Sequence, residues 1–536
     1  MIAEYAARLR LRHWSKPSVT LLFSTLALIA APLASAPPQV QDPIKVEQGE
    51  LSGAVGKNAS IRVYKGIPYA APPVGNLRWR PPQPPVNWQG VRKGNAFGNS
   101  CMQIPYPPVS VLFREVAPAD SEDCLYLNIW TPAKSSGDRL PVMVWIHGGG
   151  FGHGAGGSSG YDGENLAAKG VVVVTINYRL GIFGLLALPE LTAESPHHAS
   201  GNYAFMDQVA ALRWVKKNIT ALGGDPNCVT IFGESAGSES VSVLQASPLA
   251  KGLFQRAIGE SGGALGPMVH LEEAERNGAK IAAAAGLTSD VLARLRAMPA
   301  EDLLKATNED DLADIVDGWV LPKELHEIFT EGKQNDVALI VGNNDKEGSI
   351  VPPPNGHVSA AEFIQNARNR YGEMADDFLK IYPANSDEQA LNSYFASFRD
   401  GQFGWQMWTW ARLQSETGHQ RAYRYYFDRV APGFAAVRLG AFHGSDIAYV
   451  FETFPFRVPY GDTDRKLGDA MSSYWVNFAK KGDPNAAGLP NWPAYVPADD
   501  AVIDFGDQVT VRAHVNQAGL DFFDKYYESQ LQNLKH

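Results

Sequence analysis

One pentapeptide in the chain has the residue types and spacing for nucleophilic chemistry. Gly233-Glu-Ser-Ala-Gly237 sets a serine between two glycines. It follows the apolar run Val229-Thr-Ile-Phe232 and precedes the apolar-patterned segment Ser238–Gln245. A strand turning sharply into a helix through such a pentapeptide holds its serine on a strained elbow. The glycines let neighbouring backbone close in, and Ser235 projects from the carboxyl edge of a sheet at the positive end of the helix. The chemistry this suits is attack by a hydroxyl on a carbonyl carbon, which creates an oxyanion. Upstream, His147-Gly-Gly-Gly-Phe151 follows another apolar run, Val142-Met-Val-Trp-Ile146. The N–H groups of Gly149 and Gly150, with that of Ala236 after the serine, are the candidate oxyanion donors. Loss of one such donor typically costs roughly 3 kcal/mol of barrier.

A serine hydroxyl needs a base, and the base needs an orienting carboxylate. His153 lies in the glycine-rich loop, and His197 and His198 lie in a polar stretch. His270, His326, His357, His419, His514 and His536 fall in segments that read as exposed. His443, in Ala441-Phe-His-Gly-Ser-Asp446, sits among apolar and small residues and is the best-placed base. Asp345 and Glu347 both follow the apolar run Val337–Val341. That is the carboxyl end of a strand, where the sites of such sheets gather. Spacing alone does not separate these two acids. No cysteine pair or histidine cluster suggests a metal, and acyl transfer of this kind calls for no cofactor.

These parts need a scaffold that brings distant segments together. The runs 142–146, 171–176, 229–232 and 337–341 are uniformly apolar, as strands of a parallel sheet buried on both faces are. Between them, Phe205–Leu222 places Val209, Leu212, Val215 and Ile219 on one helical face. Further helices are expected around 272–306, 359–371, 386–416 and 464–481. Strand–helix alternation gives an α/β fold: a central, mostly parallel sheet with helices on both faces. Trp405, Met407, Trp408 and Trp410 form an aromatic segment open to two readings, pocket lining or core helix.

The bulk properties agree. In 536 residues, 45% are hydrophobic and 19% charged, enough apolar content for a large core. A net charge of −10 argues against nucleic acid as a partner. Residues 1–36 read as a secretory signal: Arg8, Arg10, Arg12 and Lys16, an apolar run Val19–Ala31, then Ala34-Ser-Ala36. That run is shorter than the roughly 20 residues a membrane span needs. Pro37 leaves the cleavage point, or retention as an N-terminal anchor, open. The mature protein is expected to be periplasmic or secreted, without membrane integration, and to form a single domain over 37–536. In an oxidising compartment Cys101 and Cys124 can pair, while Cys228 reads as a buried free thiol.

The chain resembles the type B carboxylesterase and cholinesterase family of α/β-hydrolases. The resemblance rests on Gly66–Trp79, Glu122-Asp-Cys-Leu-Tyr-Leu-Asn128, His147–Phe151, Gly224-Asp-Pro226, Gly233–Gly237, Asp345-Lys-Glu-Gly348 and His443-Gly-Ser-Asp446, in that order. It implies the α/β-hydrolase fold, with helical and loop insertions forming a gorge. It implies Ser235 as nucleophile, Glu347 as triad acid, His443 as base, and Gly149, Gly150 and Ala236 as oxyanion donors. It also implies a Cys101–Cys124 disulfide and buried polar support at Glu234, Ser261 and Asp446. The implied activity is hydrolysis of small carboxylic esters through an acyl-enzyme. A lipase, or an amide, carbamate or polyester hydrolase on the same triad, stays open. So, more remotely, does a non-catalytic binding protein. The 101–124 loop carries no tryptophan, so no cation–π site for choline is expected there. After the acid, Gly348-Ser-Ile-Val351 is aliphatic where other members carry aromatics.

Overall fold

The computed structural model describes residues 42–104, 118–351, 353, 356–455 and 457–533. The expected signal at 1–36 lies outside them, as does the middle of the 101–124 loop. Among the described residues, the central sheet has eleven strands. In chain order they are β1 Ala54–Val55, β2 Arg62–Pro68, β3 Tyr126–Thr131, β4 Leu140–Ile146, β5 Val172–Ile176, β6 Gly224–Glu234, β7 Arg256–Glu260, β8 Ala338–Asn344, β9 Ala422–Phe427, β10 Ala501–Phe505 and β11 Val509–Ala513. In space they run β11-β10-β9-β8-β7-β6-β4-β5-β3-β2-β1. Strands β4 to β10 are all parallel. The flanking pairs β5–β3, β3–β2, β2–β1 and β10–β11 are antiparallel.

Both faces of the sheet are covered at its centre, which is why the runs 142–146, 172–176, 229–232 and 338–341 are almost wholly apolar. Val142, Val144 and Ile146 of β4 enter one core with Val172, Val174 and Ile176 of β5. Met143 and Trp145 enter the other with Val173. The first core is roofed by α1 Tyr203–Asn218 and α2 Ala236–Ala246, with Val209, Leu212, Val215 and Val241 facing inward. The same side carries α3 Leu271–Ala284, α4 Ala360–Tyr371, α5 Asp387–Phe398, α6 Trp405–Thr417 and α8 Gln517–Asn533. The second core is closed by α7 Asp462–Lys481 through Tyr474, Trp475 and Phe478.

Local chemistry sets the helix ends. Ser359 caps α4 in a reciprocal box with Glu362, and α7 stops at Gly482 in the left-handed conformation, φ 74°. Two expected helices divide. The 272–306 stretch becomes three helices, broken around Gly286 and at Pro299. The 386–416 stretch becomes α5 and α6, joined by a π-turn at Arg399–Gly404. The aromatic segment resolves in favour of the core. Trp405, Met407 and Trp410 are fully buried and Trp408 nearly so. Their indole N–H groups donate to Asp524, Asp500 and Gln245. Cys101 and Cys124 are disulfide-bonded. Cys228 is half-buried rather than buried, because it lies where β6 breaks its pairing between Gly224 and Val229, and Arg256 donates to its sulfur at 3.2 Å. Among the described residues, no helix is long and apolar enough to cross a membrane.

Candidate active site

The elbow lies where β6 passes into α2. Ser235 has φ 58° and ψ −127°, a conformation that costs a non-glycine residue on the order of 1–3 kcal/mol. The surroundings force it. A methyl on Gly237 would lie 2.0 Å from the Ile146 carbonyl oxygen, and one on Gly233 would lie 2.5 Å from the Gly237 carbonyl carbon. Strand β4 therefore presses directly on the turn. The Ser235 N–H donates to the Glu260 carbonyl at 2.9 Å, tying the elbow to β7 as well. Ser235 itself is partly open to solvent.

The loop after β4 lies beside the elbow. A methyl on Gly148 would lie 3.0 Å from Ser235 Cβ and 2.5 Å from the Glu234 carbonyl oxygen. Gly149 and Gly150 have φ of 113° and 60°, the region that favours glycine. A methyl on Gly150 would meet no atom within 4 Å, so this part of the loop faces open space. Ala236 is the first residue of α2, and a first-turn N–H has no partner within its own helix. His147 is sealed beneath the loop. Its ring stacks on Tyr178 at 4.5 Å, and Nδ1 lies 2.8 Å from the Gly148 carbonyl oxygen. Burial holds its pKa down to about 4, so it is a neutral brace.

The acid and the histidine come from two further loops. Glu347 follows β8, and its Oε2 lies 2.7 Å from His443 Nδ1. The other oxygen, Oε1, accepts the Ser261 hydroxyl and the Asn344 N–H, both at 2.6 Å. Asp345, the acid that spacing could not set aside, points elsewhere: it accepts from Tyr426 at 2.7 Å. The remaining ring nitrogen, His443 Nε2, lies 3.2 Å from Oε1 of Glu234, the residue before the serine. Glu234, Glu347 and His443 are all buried, at 2%, 0% and 6% exposed, so their charges interact with little screening. Burial pulls His443 down, but Glu234 and Glu347 outweigh it and lift the imidazole to about 9. Burial pushes Glu234 up to about 8, against the pull of the His443 charge. Asp446 lies behind, accepting from Asn344 at 3.1 Å and Tyr425 at 3.0 Å.

The structure thus brings Gly148 against Ser235 and His443 against Glu234, the residue before that serine, with Glu347, Ser261 and Asp446 behind the imidazole. Asn344, Tyr425 and His147 were not singled out from the sequence. Asn343 and Asn344 close a strand that begins with four apolar residues, which was the available signal. Among the described residues, no group of three or more His, Cys, Asp or Glu side chains is placed to hold a metal ion.

The family model described as the carboxylesterase family matches residues 41–523. The chain belongs to the carboxylesterase family. This carboxylesterase is 38% identical over 508 residues to a fumonisin B1 esterase of Sphingopyxis macrogoltabida, covering 90% of each chain. It is 35% identical over 487 residues to a para-nitrobenzyl esterase of Bacillus subtilis (strain 168), covering 87% of this chain and 95% of that one. A solved PNB esterase superposes with a TM-score of 0.77 at 34% identity, over 90% of this chain and 99% of its own. The fold is that of the α/β-hydrolases, and the enzyme is a carboxylic ester hydrolase.

Proposed function

We propose that this carboxylesterase hydrolyses small carboxylic esters through an acyl-enzyme on Ser235, His443 and Glu347. The observation that carries the reading is the 2.7 Å contact between His443 Nδ1 and Glu347 Oε2, with the opposite ring nitrogen turned to the residue preceding Ser235. In the first half-reaction Nε2 takes the Ser235 proton as Oγ bonds to the ester carbon. The oxyanion rests on the N–H groups of Gly149, Gly150 and Ala236. The imidazolium then gives its proton to the departing alkoxide as the ester C–O bond breaks. In the second half, His443 takes a proton from water, which attacks the acyl carbon, and Ser235 leaves with that proton. Glu347 fixes the imidazole tautomer and stabilises the imidazolium, while Ser261 and Asn344 hold Glu347. Glu234 and Asp446 support the buried charge around the ring.

Residues 37–536 are read as one domain, and residues 1–36 as an export signal. The Cys101–Cys124 disulfide is compatible with an oxidising compartment.

Ser235→Ala is the direct test. Turnover of p-nitrophenyl butyrate should fall by at least 10³-fold, and labelling by a fluorophosphonate probe should vanish. Wild-type turnover or persistent labelling in that variant would sink the assignment.

A further inference from the structure

His443 is held on a face as well as at an edge. The Phe403 ring stacks on the imidazole, centroids 4.5 Å apart and planes 25° apart. Phe403 is carried by the π-turn Arg399–Gly404, a rare geometry that needs compensating contacts and concentrates at functional sites. The compensation here is an ionic clamp, buried at Arg399 and Asp400 and partly exposed at Asp345. Arg399 donates from Nε and Nη2 to both carboxylate oxygens of Asp400, at 2.7 and 3.1 Å. Its Nη1 reaches the carbonyl and Oδ1 of Asp345, at 3.3 and 3.4 Å. Tyr382 donates to Asp400 at 2.8 Å, and Tyr426 donates to Asp345 at 2.7 Å. Gly401 leaves room for Phe523, whose ring a methyl there would meet at 2.7 Å.

Asp345 stands two residues before Glu347 in the same loop. The next N–H, of Lys346, donates to the Ala441 carbonyl at 2.9 Å, two residues before His443. Arg399 therefore cross-links the segment carrying Glu347 to the segment carrying Phe403, and the imidazole lies between them. We propose that Phe403 and Arg399 are positioning residues for His443: Phe403 confines the ring and favours its charged form, and Arg399 fixes where Phe403 stands. An aromatic face attracts a cation, so stacking supports the imidazolium that forms in each half-reaction. The planar fork of arginine satisfies Asp400 and Asp345 together, which a lysine cannot do.

The inference rests on His443 as the base, and the experiment separates the two claims. Phe403→Leu keeps an apolar side chain and removes the ring. Its kcat should drop about tenfold with KM within twofold, and the acid inflection of the kcat/KM profile should move to lower pH. Phe403→Tyr keeps the aromatic face and should restore both, whereas a purely structural loss in Phe403→Leu would lower kcat without moving the inflection. Arg399→Lys should lower kcat similarly, and the double variant should fall no further than the worse single one, because both act through the same ring. Should Arg399→Lys not fold, Asp345→Asn breaks the same clamp and takes its place. Wild-type kcat and an unmoved inflection in Phe403→Leu overturn the role of Phe403. Multiplicative losses in the double variant overturn the clamp. His443→Ala is measured beside them. If it stays active, the base assignment itself fails, whereas a dead His443→Ala beside a normal Phe403→Leu overturns only the positioning claim.

Discussion

Three acidic side chains, Glu347, Glu234 and Asp446, act on one imidazole, and a fourth, Glu260, lies next to two of them. Glu347 contacts Nδ1, Glu234 faces Nε2, and Asp446 lies buried behind them. Glu260 is pushed well above the ordinary carboxyl range by burial, with Asp446 and Glu234 adding to it, while Trp475 donates to it at 2.7 Å. The consequence for activity follows from the sign of the histidine shift. A base works only when neutral, and the charge of Glu234 stabilises the protonated form. The kcat/KM profile should therefore rise with pH through an inflection above the ordinary 6.5, toward about 9. Glu234→Gln removes one of the charges that lift the imidazole. Its inflection should move downward by about one pH unit. A profile of Glu234→Gln that overlays the wild type, or moves upward, would show that Glu234 does not set the histidine's protonation.

At the scale of elements, the elbow is a packing problem between β4, β6 and α2. Gly237 is required because β4 runs against the first turn of α2, not because the turn needs flexibility. Gly237→Ala would place a methyl 2.0 Å from the Ile146 carbonyl oxygen, and neither backbone can yield without opening the parallel sheet. The variant should be lost from the soluble fraction or melt far below the wild type. Gly150→Ala is the matched control. Its methyl meets open space, and the left-handed φ of 60° costs only about 1–2 kcal/mol. It should melt close to the wild type. Equal melting temperatures for the two variants would count against the close approach of β4 to the elbow.

At the scale of the molecule, the proposed catalytic groups stand just after β4, β6, β8 and β9. These strands are drawn from residues 140 to 427 yet lie together in one sheet. Reading 37–536 as one domain follows from that convergence. Outside the parallel strands, the chain is held by longer-range links. The Cys101–Cys124 bridge closes a loop with a sequence separation of 23. In the chain-entropy view such a loop contributes on the order of 3 kcal/mol. Replacing both cysteines with serine should lower the guanidinium midpoint by a corresponding amount, with Ser235 labelling retained in the folded protein. An unchanged midpoint would mean that the loop is pinned by its other contacts.

The chain's own residues determined much of this. Apolar runs marked four of the parallel strands, because strands buried on both faces leave no room for polar residues. The glycines around Ser235 and after His147 marked the elbow and its companion loop, because only glycine tolerates backbone at 2–3 Å. Residue patterns also narrowed the base to His443 by the company it keeps. They could not choose between Asp345 and Glu347, two carboxylates in one loop, because direction is a tertiary property. Folding turns Glu347 toward the imidazole and Asp345 toward Tyr426 and Arg399. Nor did periodicity reveal the π-turn in the 386–416 segment, since the extra residue shifts the helical phase within one short turn, Arg399–Gly404. The stacking of Phe403 on His443 joins residues forty positions apart in the chain and exists only once the sheet has assembled. What tertiary structure decided was the charge and orientation of the imidazole, because both depend on buried neighbours that sequence spacing does not bring together.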